Sequence, residues 1–152
     1  MRYKLCTKSQ LENLQVIHYG SKVYHPIRPV FNKKITKPLG GLWTSPIYSD
    51  NSWKHWCKRE NWRTIDEDLS FKLGFKHTAK ILVINSIKDV DILPKRKDIT
   101  FEPAVDFEKL AKKYDGIWLT ELGEKSVRDS DNFYNWDCET VLIFRSDCCY
   151  LI

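Results

Sequence analysis

A chain of 152 residues that is 42% apolar and 30% charged has the size and composition of one domain with a real hydrophobic core. The length argues against a two-domain enzyme, and residues 1–152 are read as a single domain. A formal net charge of +5 favours an anionic ligand or partner but is too mild to establish nucleic-acid binding. The five cysteines are odd in number and lack paired metal-ligand spacing, which points to free thiols in a reducing compartment and gives no support to zinc. No apolar signal segment opens the chain and no apolar run is long enough to span a bilayer. The expected location is therefore a cytoplasm, the cell's own or one into which the chain is delivered.

Taken in order, residues 11–14 suit a short helical turn, and residues 15–19 a first strand ending in His18-Tyr19-Gly20. Alternation puts His18 and Tyr19 on opposite faces. A histidine there serves either as a neutral imidazole bonding a ligand hydroxyl or as a satisfied structural residue. Residues 22–38 hold three prolines among Arg28, Lys33, Lys34 and Lys37, which predicts a long ordered loop, either solvated or facing an anion. Gly40 and Gly41 then allow a close turn into a short strand, where Trp43, Thr44 and Ser45 precede the stop at Pro46 and the two hydroxyls are expected to be exposed. Neither a P-loop nor a dinucleotide-binding Gly-x-Gly-x-x-Gly pattern is present.

Residues 50–60 read as a helix capped by Asp50 or Asn51, with Trp53, Trp56 and Cys57 forming a packing stripe. Residues 62–74 carry a weaker hairpin pattern. Residues 79–84 are a buried strand by their β-branched content. Residues 88–94 suit a turn and an edge element, and Lys95-Arg96-Lys97 a basic turn. A short amphipathic helix over 106–113 leads through Asp115-Gly116 into a strand, followed by a polar, mobile loop over 121–132 able to cover a substrate. In residues 134–144, Asp137 and Glu139 flank Cys138 at the mouth of an apolar strand. Their i, i+2 spacing predicts that the two acids share a face, where they either solubilise the strand or stabilise positive charge on a ligand. Residues 148–152 add a last edge strand.

Four of these segments together resemble the small ADP-ribosyltransferase superfamily, which uses NAD: His18-Tyr19-Gly20, Gly41-Leu42-Trp43-Thr44-Ser45, Tyr114-Asp115-Gly116-Ile117 and Trp136-Asp137-Cys138-Glu139. The resemblance implies an α+β fold in which two small, mostly antiparallel sheets enclose a cleft. It implies NAD as ADP-ribose donor, held by His18, Tyr19, Gly20, Trp43, Thr44 and Ser45. Glu139 would be the catalytic acid that orients the ribose and stabilises its transition state, and Asp137 would help to hold or activate the acceptor. Histidine at 18 fits one branch of the superfamily and Thr44-Ser45 another. Glu121 is a rival acid, and Glu139 is preferred because Asp137 precedes it by two residues. The acceptor, a protein, nucleic acid, small molecule or water, is left open, as is the setting of a toxin or effector. The alternative is a noncatalytic protein binding an anionic macromolecule through residues 22–37 and 95–97.

Overall fold

The computed structural model of the chain describes residues 2–33, 37–99, 103–129, 133 and 135–152. Lys34 of the basic loop, residues 130–132 of the polar loop and Tyr134 lie outside the described residues. Along the chain run α1 (Lys8–Asn13), β1 (Val16–Tyr19), β2 (Leu42–Pro46), α2 (Trp53–Arg59), β3 (Ser70–Phe75), β4 (Ile81–Ile84) and α3 (Ile87–Asp91). They are followed by α4 (Phe107–Ala111), β5 (Gly116–Leu119), α5 (Glu121–Val127), β6 (Thr140–Ile143), a 3-10 turn (Ser146–Cys148) and β7 (Cys149–Leu151).

The fold is mixed α+β and mostly antiparallel, as the sequence predicts, but its strands form one sheet in the order β4-β5-β6-β2-β1-β3-β7 and not two. The reason is β2. Its first half pairs with β6 through Leu42, Trp43 and Thr44, while its end pairs with β1 through Ser45 and Pro46. One strand thus joins two sets of neighbours that local patterns alone do not connect. The sole parallel pair among the described strands, β4 with β5, is separated in sequence by the crossover that carries α3 and α4.

Alternation divides the core. Leu82, Ile84, Ile117, Leu119 and Leu142 belong to a cluster that includes Val90, Phe107, Leu110, Val127 and Phe133. Ile81, Val141 and Ile143, one residue out of phase, pack with Leu11, Leu14, Val16 and Leu73. All four residues of β4 and of β6 are buried, which explains the unbroken apolar run of β4 and the apolar Val141, Leu142 and Ile143 of β6.

Caps determine the short helices. Ser52, not Asp50 or Asn51, caps α2 by accepting from the His55 amide. The 88–94 region holds α3 where an edge element is expected. The carboxylate of Asp89, buried near its start, accepts from the Asn85 and Ser86 amides and pairs with Lys4 at 3.1 Å. The expected mobile loop after β5 begins instead as α5. Thr120 accepts from the Gly123 amide at 3.1 Å, and Arg128 pairs with Glu124 one turn earlier at 3.0 Å. Polar caps and charge pairs leave no apolar periodicity to detect. Of the 62–74 hairpin region, β3 alone is a strand. No helix among the described residues is long and apolar enough to cross a membrane.

Candidate functional site

β1 and β2 pair only at Val16 with Pro46 and Ile17 with Ser45. At the next residue a side chain replaces the backbone ladder: His18 donates from Nδ1 to the Trp43 carbonyl at 2.8 Å. The carbonyl acceptor places a proton on Nδ1 and leaves Nε2 as the nitrogen available to a ligand. The imidazole also lies 5.1 Å from the Phe71 ring. Where the strands part there is a cavity of about 280 Å³, lined by residues of both strands and by the segment that leads into β6.

This cavity gathers His18, Tyr19, Trp43, Thr44, Ser45 and Asp137 of the residues predicted for a site. Its aromatic wall also includes Trp53 and Trp136, the latter edge-on to Trp43 at 4.8 Å. Lys37 sits at its mouth, 5.6 Å from the Trp43 ring centre and 3.9 Å from Asp137. Thr44 and Ser45 are buried, not exposed as expected. Thr44 donates its hydroxyl to the Val141 carbonyl at 2.7 Å, whereas Ser45 accepts from the Trp53 amide and keeps a proton to donate. Gly20, at φ 114°, lines a smaller neighbouring cavity beside Tyr19 and Arg63. Of the expected packing stripe on α2, Cys57 alone is buried; Trp53 faces the aromatic cavity and Trp56 an adjoining one.

Glu139 does not join this group. The chain bends at Cys138, whose carbonyl accepts from the Thr140 hydroxyl at 2.9 Å, and the Glu139 amide donates to the Asn51 carbonyl at 2.8 Å. Asp137 and Glu139 therefore do not share a face, because the alternation of an extended strand begins only at Thr140. Glu139 is 7% exposed, accepts from the Trp118 indole N–H at 2.8 Å and lines a separate cavity together with its rival Glu121.

Burial holds the Asp137 carboxyl above its ordinary range; Lys37 opposes this, and Glu124 and Glu60 add to it. The folded chain thus keeps the Asp137 proton more tightly than an unfolded chain does, so ionisation costs stability as pH rises through the carboxylate range and above it. Asp137→Asn is expected to raise the urea midpoint at neutral pH and to leave it unchanged at strongly acidic pH. A neutral-pH midpoint below that of the wild type would mean that the Lys37 attraction outweighs burial. Burial also pushes the Cys138 thiol up to about 11, so it is protonated at neutral pH and unsuited as a nucleophile.

Trp136 and Lys37 have no role assigned from sequence, although both lie in segments that it singles out. Next to the aromatic cavity, and sharing Trp136 and Asp137 with it, is a mixed-charge cavity of about 420 Å³ that includes Arg59, Glu124 and Arg128. The basic turn has structural uses: Lys95 donates to the Val90 and Leu93 carbonyls, and Arg96 pairs with Asp98 and bonds the Lys33 carbonyl. Comparison of the chain with protein-family models, curated proteins and solved structures finds no match.

Proposed function

We propose that the aromatic cavity takes the nicotinamide-ribose half of NAD and that the protein transfers ADP-ribose to an acceptor, with Asp137 in place of Glu139 as the acid. The observation that carries this reading is the convergence of His18, Tyr19, Trp43, Thr44, Ser45 and Asp137 on one cavity at the parting of β1 and β2.

The chemistry follows from what each group offers. Trp43, Trp136 and Tyr19 present aromatic surface to a planar pyridine ring. His18 Nε2 and the Ser45 hydroxyl are suited to ribose hydroxyls. When the bond between nicotinamide and C1 of the ribose breaks, its electron pair leaves with the ring and neutralises it, and positive charge develops on the ribose. A carboxylate at Asp137 stabilises that oxocarbenium-like centre and holds a ribose hydroxyl. The acceptor then bonds to C1 and gives up its proton; with water as acceptor the product is free ADP-ribose. The mixed-charge cavity on the other side of Asp137 provides the approach for the acceptor.

Mass-resolved incubation of the purified protein with NAD tests this reading, with parallel reactions containing protein, nucleic acid or no added acceptor. Nicotinamide release, with ADP-ribose free or on an acceptor, is the expected result. Neither release nor NAD-dependent change in tryptophan fluorescence in any of these reactions would overturn it.

A further inference from the structure

Trp136 is 2% exposed, and its indole nitrogen is the one buried side-chain nitrogen or oxygen without a hydrogen-bond partner among the described residues. Its neighbours show why. The ring packs against those of Phe133, Trp43 and Phe107 at 4.6, 4.8 and 5.8 Å, and these offer the N–H no more than a weak π contact. An indole nitrogen can only donate, so its partner has to be an acceptor. A donor buried without one is costly in the folded chain, and a ligand that brings an acceptor recovers that cost on binding.

Two cavities share the Trp136 ring. The mixed-charge one is lined by the carboxylates of Asp50, Glu60, Glu121 and Glu124, yet none of them accepts from the indole. The aromatic one has Asp137 as the sole carboxylate of its lining, paired with Lys37, so a further acceptor has to arrive there with the ligand. We propose that Trp136 determines which pyridine the aromatic cavity takes, its indole N–H donating to the carboxamide oxygen of nicotinamide. This role rests on the NAD reading of the cavity, in which Trp136 otherwise supplies only aromatic surface. A neutral carbonyl suits a donor surrounded by rings. The carboxylate of the corresponding pyridine acid would be desolvated there, next to the like charge of Asp137, and is disfavoured.

Nicotinamide, nicotinate and 3-methylpyridine, which has no carbonyl, test the inference when titrated separately at neutral pH into the isotopically labelled full chain. The indole N–H signals of Trp43 and Trp53 report that the cavity is filled, and that of Trp136 reports the bond. Nicotinamide is expected to move all three saturably. Nicotinate and 3-methylpyridine are expected to bind about tenfold more weakly, and 3-methylpyridine to leave the Trp136 signal in place. Trp136→Phe keeps an aromatic ring without the N–H, so it should bind nicotinamide about tenfold more weakly and 3-methylpyridine as the wild type does. Should that variant not fold, the three probes on the wild type decide the matter. Movement of Trp43 and Trp53 with a silent Trp136, or equal affinity for nicotinamide and 3-methylpyridine, would overturn the role of Trp136 and leave the NAD reading standing. No movement of any of the three signals with nicotinamide or with NAD would overturn both.

Discussion

Asp137→Asn is expected to slow nicotinamide release from NAD by about 10²- to 10³-fold, the range typical of removing one preorganised electrostatic group from a reacting centre. Asparagine keeps the size and one carbonyl of the side chain, so binding survives while the charge that opposes the developing ribose cation is lost. The effect should fall mainly on kcat, because the substrate carries less positive charge on its ribose than the transition state does. The loss should exceed that of Glu139→Gln measured in parallel, since Glu139 lines a different cavity. The opposite ranking would move the acid to Glu139. Lys37 adds a pH signature. It is the cation that pulls the Asp137 carboxyl down against burial, Glu124 and Glu60. Removing it in Lys37→Met raises the Asp137 pKa further, so the acid limb of the pH–rate profile is expected to move to higher pH. An unmoved limb would mean that Asp137 is not the titrating group.

Gly123→Ala is expected to destabilise the fold by about 3 kcal/mol, the upper end of the usual cost of overpacking. Helix propensity by itself predicts the opposite, a gain of up to about 1 kcal/mol on replacing a helical glycine by alanine. Packing decides the sign. A Cβ at Gly123 would lie 2.0 Å from the Ile84 carbonyl oxygen and 2.8 Å from its carbon. That carbonyl cannot turn aside cheaply, because it accepts from both the amide and the hydroxyl of Thr120, each at 3.1 Å. α5 must instead shift away from the end of β4, taking Glu121 and Glu124 with it. Urea denaturation of Gly123→Ala beside Leu122→Ala, whose side chain is 71% exposed, separates the clash from any general effect of altering the helix. A wild-type midpoint for Gly123→Ala would show that the helix does not approach β4 this closely.

Local pattern made much of this protein legible. The β-branched run 81–84, the strand after Asp115-Gly116 and the apolar stretch after Glu139 are strands because such residues fit a pleated, buried surface. Gly40 and Gly41, both at positive φ, turn the chain into β2 as expected. The histidine, hydroxyl and aromatic residues singled out beside that turn do come together. The helix over 121–127 was not legible, because a threonine cap, a glycine that permits close approach and a Glu–Arg pair hold it, and none of these leaves an amphipathic period.

Residue types and spacing thus determined by themselves a single mixed α+β domain and an aromatic, histidine-bearing strand pair. Tertiary structure alone decided that the strands join in one sheet and that Asp137 and Glu139 part company. Period-two alternation specifies a residue's face only within an extended strand, and these acids precede one. The direction of Glu139 is determined by bonds across the fold, from its amide to Asn51 and from the Trp118 indole to its carboxylate, and Asp137 faces Lys37 instead, all of them partners that no local pattern links.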